Sequence, residues 1–315
     1  PNDVALWSGD QMLRYLTKYG SDLAGNLVVG EPAFAASLAG SSPNRCAPSD
    51  RAEVYGEFAT QVSAFGVPGS SAAGEQPKFL ATVIDEAGPV GVLVKFSPVV
   101  YPGDRIGRRL ADLLRLESLA LAVTANAGIP AASSTIIEGS GRVFLEVRRF
   151  DRTGAFGRCG VVSFAALDDE FVGSRESWSA TAEALLAQQK ISPESCDRAR
   201  WLDRFGAYIA NSDRHHGNLS CFFEHGQIGE LCPVYDMLPM GYAPTNNELV
   251  RRTFGAPAIE VSAPSITRSA WAAALTFWRQ AAELPTIEAE LRTICCDNAA
   301  LLAEQAPMLD RLPAA

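Results

Sequence analysis

The chain has 315 residues and a formal net charge of −9. This acidic balance disfavours an extended nucleic-acid surface, because such a surface needs clustered lysine and arginine. Apolar residues make up 47% of the chain, with 15 Phe and 5 Trp, which excludes disorder over its whole length. Seven scattered cysteines without a Cys-x-x-Cys pair indicate a reducing, cytoplasmic compartment, and in the absence of any run of about 18 apolar residues we expect no membrane insertion.

The first 60 residues predict short helices and loops without chemistry of their own. Ser8 or Asp10 can cap a helix over residues 11–19, where apolar side chains recur at helical spacing. Residues 25–30 predict a turn and a short strand. We interpret residues 1–60 as an N-terminal helical and loop segment, for which a remnant of a larger N-terminal region is one explanation.

A segment of small residues, 66–78, comes directly before a strand-like run. A glycine-rich loop in this position can bring backbone N–H groups close to phosphates. It contains neither Gly-Lys-Ser/Thr nor Gly-x-Gly-x-x-Gly, so a flexible linker stays an alternative. Residues 79–86 and 89–97 predict a hairpin. Lys95 interrupts the second run, either as an edge residue facing solvent or as a lysine that binds phosphates.

An amphipathic helix is predicted over residues 109–127, because apolar side chains line one side of it and Gly128 and Pro130 end it. Glu117 lies in this helix, and a solvated carboxylate and a partner for the lysine are equally good interpretations. We interpret the basic stretch at residues 105–109 as a solvated helix start in preference to a phosphate contact.

A second hairpin is predicted over residues 134–138 and 143–147. The basic stretch Arg148-Arg-Phe-Asp-Arg152 follows, and helical patterns dominate after about residue 160. The length predicts two lobes of roughly 150 residues each. The helices predicted in the second part cover residues 176–189, 197–210, 266–281 and 285–305.

The most informative stretch is Asn211-Ser-Asp-Arg-His-His-Gly-Asn218. Asp213 and Asn218 have the spacing of a protein-kinase catalytic loop, in which the Asp handles the proton of the acceptor hydroxyl and the Asn binds magnesium. A small hairpin over residues 219–231 leads to Asp236, a carboxylate of the kind that Mg²⁺ takes together with substrate phosphates. The spacing alone is weak evidence, since Asp and Asn are common in turns. The order of the two clusters after a lysine-bearing strand strengthens it.

Together these motifs resemble those of HipA-like serine/threonine protein kinases, the toxins of bacterial HipA/HipB-type toxin–antitoxin systems. The resemblance implies an α+β, two-lobed protein-kinase-like fold with a strand-rich N-lobe at residues 61–150 and a helical C-lobe at residues 151–315. The matching motifs, in the family's order, are Ser71-Ala-Ala-Gly-Glu-Gln-Pro-Lys78, Leu93-Val-Lys95, Arg149-Phe-Asp-Arg152, Ser212-Asp-Arg-His-His-Gly-Asn218 and Pro233-Val-Tyr-Asp236.

The resemblance also implies roles for individual residues. Asp213 would be catalytic, with His215 as its motif histidine, and Asn218 and Asp236 would bind Mg²⁺. For His215, a hydrogen bond within the loop is favoured over a chemical role. Lys95 would bind the ATP phosphates, and residues 149 and 150 would meet the adenine through their backbone. The implied nucleotide-binding residues are Ser71, Ala73, Gly74, Glu75, Lys95, Arg149, Phe150, Asn218 and Asp236.

Three positions depart from the family's pattern. Arg148 stands where a Glu is common, and His216-Gly217 replaces a small residue and a lysine before the Asn. Ser71 falls where the family carries an autophosphorylated serine, whose phosphate is implied to switch the kinase off, but the adjacent Ser70 makes the modified residue ambiguous.

The implied partners are a protein substrate, for which the family suggests an aminoacyl-tRNA synthetase, and an antitoxin. No direct nucleic-acid binding is evident in this chain, and no membrane is expected. A small-molecule kinase on the same fold and a nucleotide-binding transcriptional regulator remain alternatives. A metal hydrolase using Asp213, His215 and His216 is disfavoured, because adjacent histidines on a loop cannot easily face one ion.

Overall fold

The structure is a computed structural model that describes residues 6–38, 44–65, 76–255 and 258–313. The predicted nucleotide-binding residues of the glycine-rich segment lie outside the described residues. They are Ser71, Ala73, Gly74 and Glu75, together with the neighbouring Ser70.

The chain divides into two compact units. The first comprises Pro1–Gly103 and Ser134–Val161, and the second comprises Asp104–Ser133 and Val162–Ala315. These bounds differ from the lobe boundaries predicted after residues 60 and 150. The difference arises because a long helix after the first hairpin packs against a helix near the C-terminus and so belongs to the second unit.

The first unit is built on a five-stranded sheet. Its strands are β1 (Arg45–Cys46), β2 (Lys78–Asp85), β3 (Gly88–Phe96), β4 (Ser134–Gly139) and β5 (Arg142–Arg148). They lie in the order β1-β2-β3-β5-β4, which confirms both predicted hairpins. The unit also contains helices α1 (Gly9–Tyr19), α2 (Glu31–Leu38) and α3 (Arg51–Phe65), and a ribbon of β6 (Arg152–Thr153) with β7 (Gly157–Arg158).

One face of this sheet packs on helix α3. The ring of Tyr55 contacts Phe79 and Phe144 with ring centroids 5.4 and 5.8 Å apart. Lys95 lies on β3 next to Phe96, which is fully buried in the same cluster, so alternation directs the lysine to the opposite face. Because β3 is a central strand and Lys95 is only 7% exposed, its interpretation as an edge lysine facing solvent is wrong.

The second unit is mainly helical. Its helices are α4 (Arg105–Asn126), α5 (Phe164–Phe171), α6 (Trp178–Ala187), α7 (Pro193–Tyr208), α8 (Pro264–Glu283) and α9 (Ala289–Gln305). A small sheet has the order β10-β9-β8 and consists of β8 (Val161–Ser163), β9 (Ser220–Glu224) and β10 (Gln227–Leu231). The core of the second unit contains three fully buried tryptophans, Trp178, Trp271 and Trp278. Of the helices in the described ranges, none is both long and apolar enough to cross a membrane.

The long helices predicted from periodicity are confirmed, with shifts of a few residues at their ends. Helix α4 begins at Arg105 rather than at residue 109, because the Asp104 carboxylate caps it by accepting a hydrogen bond from the Gly107 N–H at 2.9 Å. Arg109 and Glu117 are 4% and 1% exposed, so the solvated interpretations of these two side chains are wrong.

Two of the short elements show where the prediction failed. Residues 27–29 have no regular secondary structure, so the strand predicted there is wrong. Helix α5 was not predicted, because eight residues carry too little of the helical repeat; its start is fixed by Ser163, whose hydroxyl accepts a hydrogen bond from the Ala166 N–H.

Four charged side chains hold residues 22–25 against the residues that follow β5. We call this set, Asp22, Arg149, Asp151 and Arg152, the N-terminal clamp. Asp22 accepts hydrogen bonds from Arg149 and Arg152 at 2.8 and 2.7 Å. Asp151 also accepts from both arginines, at 2.8 and 2.9 Å, and from the Gly25 N–H at 2.7 Å. Burial alone would raise the pKa of the Asp151 carboxyl, but the hydrogen bonds from Arg149 hold it below its usual value of 3.8.

We expect Asp151→Asn to lower the free energy of unfolding by about 2–4 kcal/mol at neutral pH, because the amide nitrogen would face donors and two buried arginines would lose a charge partner. Since the folded-state pKa of Asp151 lies below its unfolded value, this stabilisation is present above pH 3.8 and is lost as the pH falls through the lower folded value. Chemical unfolding at several pH values measures both effects.

The matched control is Asp169→Asn, which removes an exposed carboxylate paired with Arg175 and should change stability little. An Asp151→Asn protein as stable as the wild type at pH 7 would contradict the importance of the clamp.

Candidate functional site

The loop predicted to carry the chemistry starts at the C-terminal end of helix α7. The Ala210 N–H donates to the Ala207 carbonyl at 3.1 Å, and the Asn211 N–H donates to the Gly206 carbonyl at 2.8 Å. This pair of hydrogen bonds is a Schellman motif, which needs a left-handed residue just past the helix. Ala210 fills that position with φ 59°, although glycine is the residue that adopts it without strain. The motif turns the chain sharply out of the helix.

Within the loop, hydrogen bonds fix Asp213 and Asn218 relative to each other. The Asn211 side-chain oxygen accepts from the Asp213 N–H at 3.0 Å. The Asn218 side-chain nitrogen donates to the Asp213 carbonyl at 3.0 Å, and the Asn218 N–H donates to the His215 carbonyl at 3.0 Å. Because its nitrogen serves the loop, the amide oxygen of Asn218 is the atom that can bind a cation.

Arg214 fastens the loop back onto helix α7. Its Nε donates to Asp203 at 3.1 Å, and its Nη1 donates to the Asn211 carbonyl. Gly206 provides the space for this side chain, since a Cβ on that residue would lie 2.6 Å from the Arg214 Cδ. The loop can therefore take this position only because residue 206 is a glycine.

The two histidines of the loop have different environments. The His215 ring is exposed, and its Nδ1 accepts a hydrogen bond from the Gly217 N–H at 3.0 Å, while its carbonyl accepts from the Trp178 Nε1 at 3.1 Å. His216 is buried, with its Nε2 2.8 Å from the Thr181 hydroxyl, and that hydroxyl lies 2.6 Å from Asp168.

Burial lowers the pKa of His216, outweighing the opposing effect of the nearby Asp168 carboxylate. The two imidazoles therefore do not share a site. Nor does any group of three or more His, Cys, Asp or Glu side chains in the described ranges form a metal site. The separate environments of His215 and His216 count against a metal site that uses both histidines.

Asp236 is held at the end of an extended segment. The Val234 N–H donates to the Pro130 carbonyl and the Val234 carbonyl accepts from the Ala132 N–H, each at 2.9 Å. The Tyr235 hydroxyl donates to the Gly217 carbonyl at 3.0 Å, which links this segment to the loop 211–218. Asp236 itself has φ 56°, a left-handed conformation that is uncommon outside glycine and recurs at functional sites.

Among the site residues predicted in the first unit, Arg149 has a clear structural role. The Arg149 side chain belongs to the N-terminal clamp, and its N–H donates to the Gly91 carbonyl at 3.0 Å. Phe150 follows it in a turn and is half-buried, and Lys95 lies in the sheet as described above.

A cavity of about 350 Å³ adjoins the loop of the second unit. Its lining includes Ser212 and Arg214, which flank Asp213, and Arg252 from a later segment. The place of Arg252 in this wall and the supporting contacts of Trp178 and Thr181 could not be predicted from the sequence, because these three residues lie far from the loop along the chain and carry no local motif.

Comparison with known proteins identifies the chain's relatives. A family model described as "HipA-like C-terminal domain" matches residues 70–303, and a model described as "YjjJ-like toxin, middle domain" matches residues 1–38. The chain is 36% identical over 272 residues to "Toxin YjjJ" of Escherichia coli (strain K12). The match covers 86% of this chain and 60% of that protein, so the chain spans less than two thirds of the length of this relative.

Two solved structures share the fold. The HipA of Shewanella oneidensis MR-1, solved as a complex of HipA, HipB and operator DNA, has a TM-score of 0.58 at 16% identity, covering 97% of this chain and 80% of that chain. The proinflammatory kinase CtkA of Helicobacter pylori has a TM-score of 0.50 at 12% identity, covering 77% of this chain and 95% of that chain. These similarities confirm the predicted α+β, two-lobed kinase-like fold.

We expect Ala210→Gly to raise the free energy of unfolding by about 0.5–1 kcal/mol, because it relieves a left-handed alanine at the end of α7. The matched control, Ala207→Gly, places the same change inside the helix and should lower stability by a similar amount. Chemical unfolding of both proteins measures the contrast. Equal destabilisation by the two substitutions would contradict the strain assigned to Ala210.

Proposed function

The chain belongs to the HipA-like family, and on this premise we propose that it is an ATP- and Mg²⁺-dependent kinase that phosphorylates serine or threonine residues of a protein. The observation that carries the proposal is the hydrogen bond from the Asn218 side-chain nitrogen to the Asp213 carbonyl. This bond joins the Asn218 side chain to the Asp213 backbone, and it supports the proposal because a kinase catalytic loop uses an Asp and an Asn at this spacing.

Asp213 is the residue that we assign to the acceptor hydroxyl. Its carboxylate orients the hydroxyl toward the phosphoryl group and takes up its proton. Because a carboxylate is a weak base, this proton transfer accompanies bond formation and does not precede it. The cavity beside the loop, with Ser212 and Arg214 in its wall, is where we expect the acceptor segment to lie.

The Asn218 amide oxygen and the Asp236 carboxylate are the atoms that we assign to Mg²⁺. Both are hard oxygen ligands, and two such ligands from the protein suffice when substrate phosphates and water complete the shell. When bound, the ion neutralises charge on the phosphates. Two backbone hydrogen bonds of Val234 anchor the segment before Asp236, and Asp236 itself has a left-handed backbone, which supports this assignment.

Lys95 is the residue that we assign to the ATP phosphates. It lies on the central strand β3, on the face of the sheet opposite α3, and a lysine binds phosphate as a point charge. We keep Phe150 and the Arg149 backbone as adenine contacts, and Ser71, Ala73, Gly74 and Glu75 as the phosphate-covering loop. The Arg149 side chain is already engaged in the clamp.

The biological role that we propose is that of a cytoplasmic toxin. The name of the Escherichia coli relative supports it, and the Shewanella HipA structure, which contains HipB, supports an antitoxin partner. We propose a translation-related substrate such as an aminoacyl-tRNA synthetase. We also propose that the kinase inactivates itself by phosphorylating Ser71 or, alternatively, Ser70.

We expect Asp213→Asn to abolish phosphoryl transfer while leaving folding and nucleotide binding intact, because the substitution keeps the shape of the side chain and removes the group that accepts the proton. Labelled ATP incubated with the protein and a bacterial lysate measures transfer, and peptide mass spectrometry measures phosphate on Ser70 and Ser71. The matched control is Asp197→Asn, the same change at an exposed carboxylate on the surface of α7.

Wild-type labelling by the Asp213→Asn protein would overturn the catalytic assignment. Equal phosphate occupancy at residues 70 and 71 in the wild-type and Asp213→Asn proteins, or none in either, would overturn self-inactivation. Labelled small molecules without labelled protein would favour the small-molecule kinase.

We expect Asp236→Asn to weaken Mg²⁺-dependent binding of a non-hydrolysable ATP analogue by about tenfold or more. Mutating a residue that only hydrogen-bonds to a metal ligand typically lowers metal affinity by about tenfold or more, and loss of the ligand itself should cost at least as much. Asparagine tolerates the left-handed backbone of this position, so the fold is kept. Calorimetry with Mg²⁺ and with a chelator separates the metal-dependent part. Asp197→Asn, on the surface of α7, is the control, and an unchanged affinity for Asp236→Asn would rule out this residue as a ligand.

A further inference from the structure

The first unit contains a cavity of about 440 Å³ whose lining includes Arg149 but otherwise consists of residues that the proposed kinase reaction does not use. It lies between the N-terminal helical segment, the outer part of β1–β3 and the ribbon β6–β7. We call it the basic cavity. Its volume falls in the range of small-molecule sites. Neither Lys95 nor any residue of the loop 211–218 is among the residues that line it.

The charge of this cavity is positive in a chain whose net charge is −9. Two of its five cationic residues, Arg149 and Arg152, are balanced by the two aspartates of the N-terminal clamp, and their N–H groups are largely used there. The other three are Lys18, Arg45 and Arg158. In the described part of the chain no carboxylate forms an ion pair with any of these three, so their charge favours an anionic ligand.

A buried nitrogen of the Arg158 side chain is the second argument for an anionic ligand. One end of its guanidinium donates to the Ser21 carbonyl at 2.5 Å, whereas the Nη1 atom is buried and has no hydrogen-bond partner among the described residues. A buried donor without a partner is costly. A small shift of this side chain toward a bound phosphate would satisfy it with a charge-assisted hydrogen bond.

Two aromatic rings at the cavity add a preference for a planar group. Tyr19 and Phe156 both line it, and they are 57% and 62% exposed. The Tyr19 ring already contacts the Tyr15 ring, with centroids 5.0 Å apart, and the Lys18 ammonium lies 5.0 Å from its centroid, which leaves Phe156 as the ring for a ligand. Exposed rings of this kind stack on nucleobases with little dependence on the base.

We propose that the basic cavity binds a nucleoside monophosphate. Its phosphate lies against Arg158, Arg45 and Lys18, and its base stacks on Phe156. The proposal stands independently of the kinase activity, because it assigns residues that the catalytic assignment does not use. It gives residues 18–25 and the ribbon β6–β7 a common ligand.

Calorimetry with AMP tests the proposal, with Mg²⁺ and a non-hydrolysable ATP analogue present at saturation to fill the proposed catalytic site. We expect one equivalent of AMP to bind. The double variant Lys18→Ala/Arg45→Ala should weaken AMP binding by about tenfold or more, since each side chain contributes charged contacts to the phosphate. The matched control is Arg14→Ala, which should bind AMP as the wild type does. Arg14 is an exposed arginine on α1, the helix of Lys18, and it does not line the cavity.

Two further titrations separate the parts of the ligand. Phe156→Ala should weaken AMP and leave inorganic phosphate unchanged, and adenosine should bind more weakly than AMP. No AMP binding, displacement of AMP by the ATP analogue, or inorganic phosphate binding as tightly as AMP would each overturn the proposal. If the analogue itself does not bind, the kinase proposal fails, whereas the AMP titration still decides the fate of the basic cavity.

Discussion

The hydrogen bond between the Asn218 side chain and the Asp213 carbonyl holds together the candidate site of the second unit. It closes the loop 211–218. The Schellman motif after α7 sets the start of this loop, and Arg214 ties the loop to α7 through Asp203. Each of these constraints acts on the backbone, so the loop keeps its shape without a ligand. The chemistry proposed for Asp213 depends on this prior order, because positioning accounts for most of the catalysis in phosphoryl transfer.

The fold could be predicted well wherever the signal is local. Alternation along β2 and β3 and the helical repeat of α4 and α7 each depend on neighbours within a few residues, and these elements are where the sequence places them. Errors arose where burial decides. Lys95 and Glu117 look like solvated residues in a one-dimensional pattern, yet both are almost completely buried. Burial depends on which elements pack together, and this information is spread over the whole chain.

The candidate site shows the same division. The order of Asp213, Asn218 and Asp236 is visible in the sequence, because their spacing is a property of one short segment. The long-range contacts that support the loop are not visible in the sequence. Trp178 reaches the His215 carbonyl from 37 residues away, and Asp22 reaches Arg149 from 127 residues away. The Arg149 side chain illustrates the consequence: a motif that resembles a nucleotide hinge also serves as the anchor of the N-terminal segment.

The left-handed backbone of Asp236 restricts how this position can change over evolutionary time. Glutamate would keep the negative charge, but it is poorly suited to φ 56°. Asparagine and glycine suit the backbone and remove the charge. For the magnesium ligand that we propose at this position, aspartate therefore combines the charge with a backbone conformation that it tolerates better than most side chains.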